Sequence, residues 1–253
     1  MKKLLALLVA LLCILAVASA EDLSTLSLEE LTAKRQALIE ELAQVTAVRG
    51  NLIRQQELSG SADDEVLGKI ADLFPDEEFA KVIRDECAKF SIEQTVTQAD
   101  LDKVTRPNLY SPNIHSFAGI GRLRNLKAFD VGMSYDGPFP EEIRSCKELT
   151  YISIMFNRHV TEVPEWIGEL RNLETLILYD TNIAHIPDSI CDLTSLKNLS
   201  LSGNSSLTAL PENIGNCISL KELNIANTAI SELPASIWNL EMSSLNMAGT
   251  SIK

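Results

Sequence analysis

Positive charge is scarce in this sequence. Lys and Arg total 22 against 35 Asp and Glu, a formal net charge of -13 over 253 residues. Removal of Lys2 and Lys3 with the leader described below takes the balance to about -15. With no basic run to neutralise phosphates, nucleic acid is excluded as a partner, and an anionic membrane surface is disfavoured. Eleven glycines and nine prolines are too few for a collagen-like or largely disordered chain. Past residue 20 no apolar run is long enough to enter and cross a bilayer, so no membrane insertion is expected. Catalytic signatures are missing as well. There is no G-x-S-x-G, no phosphate loop, no C-x-x-C or H-x-x-x-H spacing, and no recognisable Ser/His or Cys/His pairing. His159, Glu162 and His185 fall on neighbouring loops, but scattered loop histidines without ligand spacing are usually solvated. The expectation is a protein that is not an enzyme, with no metal and no cofactor.

What the chain does have begins with Met1-Lys2-Lys3, an apolar stretch from Leu4 to Val17, and Ala18-Ser19-Ala20 before Glu21-Asp22. A basic start, a short apolar core and a small-x-small site describe a secretory signal peptide over residues 1–20, cleaved after Ala20. The product is expected to be secreted, extracellular or at the cell surface, and periplasmic where the source has an outer membrane.

Self-similarity dominates the second half. Pro140, Pro164, Pro187, Pro211 and Pro234 are each followed three residues later by Ile, and three further on come Cys146, Leu170, Leu193, Cys217 and Leu240. A phrase of the form L-x-x-L-x-L follows, as in Leu173/Leu176/Leu178 and Leu196/Leu199/Leu201, with weaker copies at Leu126/Phe129/Val131 and Val104/Pro107/Leu109. The phrases open at positions 104, 126, 149, 173, 196, 220 and 242, which makes seven repeats of 22 to 24 residues. The last two apolar residues of each phrase lie two apart and so share one face of a strand. The I-x-x-L-x-x-L stretch turns apolar groups inward on a helical or 3₁₀ return, and the proline before it has no N–H to lose there. One coil cannot bury its own interior, so coils stack on a shared core. Three residues after each strand phrase stand Pro112, Ser134, Asn157, Thr181, Asn204, Thr228 and Thr250; Asn there can donate to backbone carbonyls, and Ser or Thr can do part of that work.

This pattern resembles the leucine-rich repeat family. The resemblance implies an α/β repeat solenoid over residues 104–253, a right-handed horseshoe with a parallel sheet on its concave face. Ahead of it, residues 61–103 read as a helical cap. Asp64 is placed to start a helix containing Val66, Leu67, Ile70 and Leu73, and Phe74-Pro75-Asp76 opens a second with Phe79, Val82, Ile83, Cys87 and Phe90 on one face. Thr97-Gln98-Ala99-Asp100 is a capping-box-like start for a third. Phe-Pro-Asp-x-x-Phe, Val-Thr-Gln-Ala-Asp-Leu and Ile120-Gly-Arg-Leu-Arg-Asn-Leu126 resemble the cap and first coils of secreted bacterial internalin-like proteins. Residues 21–60 hold a further long helix in which Leu28, Leu31, Arg35, Leu38, Leu42, Val45, Arg49 and Leu52 recur at spacings of three and four. Two readings of it stand open: an amphipathic helix lying on the cap, or a coiled-coil segment that drives self-association through residues 27–58.

Cys146 and Cys217 take the buried Leu position of the return but sit three coils apart, beyond the ~7 Å Cα limit for a bridge. Cys87 lies on an apolar helix face, and Cys191 follows a buried Ile and is expected to be partly exposed. No disulfide is expected. Alternation along the strands sends small polar residues outward in the last three coils, namely Asn198, Ser200, Ser202, Asn224, Ala226, Asn227, Ser244, Asn246 and Ala248. The first four coils instead present Tyr110, Met133, Tyr151, Met155, Phe156, Ile177 and Tyr179, flanked by Asp130 and Asp180. Three of only four tyrosines thus share one face, and rings and thioethers are favoured anchors of interfaces. The chain therefore reads as a binding module holding a protein, or a glycan, on its concave face. The rival reading is a structural cell-envelope component that oligomerises through the N-terminal helix. The last coil ends at Ile252-Lys253 with no polar cap, a second expected place for self-association.

Overall fold

The computed structural model of the protein describes residues 65–111 and 113–252, which fall within one compact unit, Asp64–Lys253. The expected leader and the heptad-like helix lie outside the described residues.

The cap is part helix and part sheet. Strand β1 (Val66–Lys69) runs antiparallel to β2 (Thr95–Thr97), followed respectively by the short helices α1 (Ile70–Leu73) and α3 (Gln98–Leu101), with α2 (Glu77–Glu86) between the two halves. Val66 and Leu67 are therefore in a strand and not in the helix expected from their spacing. Gly68 holds φ at 143°, which no helix uses, and the β-branched Thr95-Val96-Thr97 offers a pairing edge. Helix α2 begins where the sequence places it, with Asp76 accepting from the Phe79 N–H at 2.9 Å. It stops at Glu86, and Ala88 turns left-handed at φ 52°. Phe90 thus lies beyond the helix and 70% exposed, instead of on its apolar face. The capping box of α3 is present, Thr97 and Asp100 each accepting the other's backbone N–H.

Asp76 does a second job. Its Oδ2 accepts from the N–H groups of His115 and Ser116, at 2.9 and 3.1 Å, so one carboxylate both starts α2 and fastens it to the first coil. An edge-on chain of rings, Phe74–Phe79–Phe117–Phe129, with centroids 5.4, 5.4 and 4.9 Å apart, carries the core from cap into solenoid. Gly119 makes this approach possible: at φ 94°, a Cβ there would stand 2.1 Å from the Leu73 carbonyl oxygen.

The solenoid is a six-stranded parallel sheet in chain order: β3 (Ala128–Gly132), β4 (Tyr151–Met155), β5 (Thr175–Tyr179), β6 (Asn198–Ser200), β7 (Glu222–Asn224) and β8 (Ser244–Asn246). The returns are 3₁₀, and in five of them the carbonyl of the leading proline accepts from the Ile three residues on, as at Pro164–Ile167 and Pro187–Ile190. Of the seven repeats the first forms no strand. Pro107 has no N–H for a ladder, and the coil joins the sheet's edge where Thr105 O accepts from Lys127 and Ala128.

Repeat Leu and Ile are buried from the first coil to Ile237, each contributing about 1.5–3 kcal/mol over exposure. Leu240, Leu245 and Ile252 of the last coil are only partly buried. The buried Asn and Thr that follow the strands are matched. Asn204 donates to the carbonyls of Leu178 and Leu201, both at 2.8 Å, while its Oδ1 accepts from Thr181 Oγ1 and the Ile183 N–H. Asn157 donates to Gly137 O, and Thr228 and Thr250 donate to carbonyls of their own coils.

Candidate interaction surface

Strand register assembles the face. One row runs Ala128, Tyr151, Thr175, Asn198, Glu222, Ser244; the next runs Asp130, Ser153, Ile177, Ser200, Asn224, Asn246; Met155 pairs with Tyr179 beyond them. After β5 both rows are wholly polar, and their large apolar or ringed members, Tyr151 and Ile177, stand on β4 and β5. The predicted residues fall into two groups along this face.

The first group is built on Tyr110, which is 55% exposed. Its hydroxyl donates to Asp130 Oδ2 at 2.6 Å, and Asp130 Oδ1 accepts from the Gly132 N–H. Gly132 is required here, because at φ 49° a Cβ would lie 2.3 Å from the Tyr110 ring. Tyr110, Asp130 and Tyr151 line a hollow of about 390 Å³ together with Arg106, Pro107, Asn108 and Ala128. The bond to Asp130, helped by burial and by the carboxylate's charge, pushes the Tyr110 phenol up to about 12. Met133 stands at the turn after β3, 71% exposed.

The second group follows β4 and β5. Phe156 packs edge-on against Tyr179, centroids 4.9 Å apart, and Asp180 pairs with Arg158 at 2.9 Å. Met155 and Tyr179 are half-buried. The backbone here is unusual. In five coils the second residue after the strand's last buried apolar position is left-handed, and it is Gly203, Asn227 and Gly249 in the later coils but Asp180 and Phe156 in the earlier ones. Phe156 sits at φ 55° and is 46% exposed. Gly and Asn tolerate that conformation; an aromatic residue does not do so readily.

Some predicted residues lie elsewhere. Ile177 lines a second, polar hollow of about 340 Å³ with Asn198, Ser200, Glu222, Asn224 and Asn246. Ser202 and Ala226, expected to face outward, are buried. Arg106, Asn108 and Arg158 belong to the surface although repeat register does not mark them. Ser153, in the middle of β4, is fully buried with no hydrogen-bond partner for Oγ. Among the described residues, no three His, Cys, Asp or Glu side chains gather as a metal site, and no helix is long and apolar enough to cross a membrane.

A parallel sheet on one side, 3₁₀ returns on the other and a buried Asn/Thr series between them define a leucine-rich-repeat solenoid with an N-terminal cap. Residues 108–226 match the family model described as leucine-rich repeat region, and residues 61–102 match that of the bacterial adhesion/invasion protein N terminal. The chain is an internalin-like leucine-rich-repeat protein. Internalin C2 from Listeria monocytogenes has a similar fold at 19% identity and TM-score 0.59, with 77% of this chain and 92% of that one covered. The functional domain of InlJ from the same organism, described as including a cysteine ladder, matches at 18% identity and TM-score 0.56, over 75% of this chain and 44% of that one. No curated protein matches in sequence.

Proposed function

We propose that this protein is an exported, non-enzymatic interaction module whose concave face holds a protein ligand through Tyr110, Met133, Tyr151, Met155, Phe156 and Tyr179, with Asp130 and Asp180 at the edge. Export rests on the leader at residues 1–20, and the internalin-like cap supports a bacterial surface or secreted setting.

Phe156 carries the reading. Left-handed backbone costs a bulky residue about 1–3 kcal/mol, and such strain gathers at functional positions. The fold alone favours the Gly or Asn that later coils have at this place. A ring kept there half in water is the arrangement expected of an interface anchor. Its contact with Tyr179 offsets only about 0.5–1.5 kcal/mol.

The test is capture of ligand by immobilised protein from surface proteins of host or neighbouring cells, alongside a glycan array. Phe156→Asn relieves strain and loses the ring pair, so stability is expected to change by less than about 1 kcal/mol. Capture by a Tyr110→Ala/Phe156→Asn double variant is expected to fall at least tenfold. Undiminished capture by a folded double variant defeats the proposal. A glycan hit that the double variant loses moves the ligand class from protein to glycan.

A further inference from the structure

Three cysteines of the solenoid replace ordinary repeat residues, and two of them, Cys191 and Cys217, lie in neighbouring coils. Where other returns carry Leu123, Leu170, Leu193 and Leu240, two carry Cys146 and Cys217. Both are fully buried, and each points its Sγ at the Ile carbonyl of the preceding coil: Cys146 at Ile120 O and Cys217 at Ile190 O, both 3.6 Å away. The residue after that Ile differs. It is Gly121 opposite Cys146, and Cys191 opposite Cys217.

Glycine is common at this place because the next coil closes on it. A Cβ on Gly168 would stand 2.5 Å from Ser189 O, and one on Gly215 would stand 2.2 Å from Ser236 O. Cys191 is accommodated where the following return starts late, at Ile214, leaving Asn213 to accept from its Sγ at 3.1 Å. Its thiol is 6% exposed, against an expectation of partial exposure. Each of the Cys191 and Cys217 thiols is the largest influence on the other's ionisation. Comparing Cys146 with Cys217, three coils apart, missed this diagonal pair. Cys217 Sγ stands 3.6 Å from Ile190 O, which puts it beside Cys191 in the preceding coil.

We propose that Cys191 and Cys217 form a disulfide that ties these two coils together under oxidising conditions, while Cys87 and Cys146 stay as thiols. The S–H of Cys217 favours ionisation of Cys191, the thiol nearer the surface, and holds its pKa below the ordinary thiol value. The neighbouring Cys191 thiol, together with burial, keeps Cys217 protonated. With oxidised glutathione, the Cys191 thiolate attacks one sulfur, the glutathione S–S bond breaks, and one glutathione thiolate leaves. Cys217 then gives its proton to solvent and attacks the Cys191 sulfur, expelling the second glutathione. Two protein thiols are oxidised and one glutathione disulfide is reduced to two thiols.

The experiment treats the full chain with oxidised glutathione, alkylates remaining thiols in denaturant, and reads a non-reduced tryptic digest by mass spectrometry. The expected result is one cross-linked pair joining the peptides that carry Cys191 and Cys217, released by dithiothreitol, with Cys87 and Cys146 alkylated. Cys146→Ser should leave the cross-link intact. Cys217→Leu, which restores the residue of the other coils, should abolish it. The thermal midpoint should rise on oxidation in wild type and stay fixed in Cys217→Leu. Full alkylation of both Cys191 and Cys217 after oxidation, or cross-links scattered among all four cysteines, overturns the proposal, and both are read on wild-type protein alone.

Discussion

Tyr110 illustrates how one side chain ties sequence, geometry and titration together. Its phenol donates to Asp130, so ionising it breaks that bond and puts two negative charges side by side. Its folded pKa of about 12 stands above an unfolded value of about 10. The contribution to stability is thus complete below pH ~10 and is lost as pH rises towards 12. Because the ring is half in water, the energy involved is small, and the titration is the better readout. Phenolate absorbance should show two late tyrosines in the wild type. One is Tyr110, held by Asp130; the other is Tyr135, pushed up to about 12 chiefly by burial. Asp130→Asn should return Tyr110 towards pH ~10 and leave Tyr135 late. An unchanged profile would mean that Asp130 is not what holds the phenol. Strand alternation made Tyr110 and Asp130 legible as neighbours on one face. It did not reveal the left-handed backbone of Phe156, the orphan hydroxyl of Ser153 or the Arg158–Asp180 pair. Periodicity reports which side a residue takes, whereas φ and partner depend on what the next coil brings.

Whole elements were readable where a local rule determines them. Proline followed by Ile at i+3 located the 3₁₀ returns, because the proline carbonyl accepts that Ile N–H in coil after coil. Asp76 and Thr97 located the starts of α2 and α3 through capping chemistry. Strand β1 was misread because the apolar spacing over residues 66–73 suits a helix, while Gly68 and a partner 26 or more residues away decide otherwise. The cap's attachment was also hidden, since the second use of Asp76 reaches residues 39 and 40 positions on. Asp76→Ala should therefore cost more than a lost helix cap, which alone is about 1 kcal/mol. With the His115 and Ser116 N–H groups also left without their acceptor, the expected loss is about 2–4 kcal/mol by urea denaturation. Hydrogen exchange should quicken at Phe79, His115 and Ser116 together. If Phe79 alone responds, the carboxylate is only a cap.

At the scale of the molecule, each coil packs mainly on its two neighbours, so stability should behave as a row of coupled units. Ile152 and Leu223 test this. Both are buried apolar strand residues flanked by strands on both sides, Ile152 between Phe129 and Leu176 and Leu223 between Leu199 and Leu245. Truncation of either to Ala costs about 2–5 kcal/mol locally. Ile152 lies in β4, and losing that coil parts the cap and first coils from all that follow, so the whole solenoid should feel Ile152→Ala as a lowered global midpoint. Leu223 lies in β7 with one strand beyond it, so the chain can respond to Leu223→Ala by opening its last coils alone. The Ile225 and Asn227 amides, which donate to Asn246 O and Ala248 O, should then exchange rapidly. The Phe156 and Asp180 amides, donating to Tyr179 O and Ser202 O, should keep their protection. If Leu223→Ala instead lowers protection equally from cap to β8, the solenoid unfolds as one block. The aromatic half of its face would then depend on the polar half for its shape.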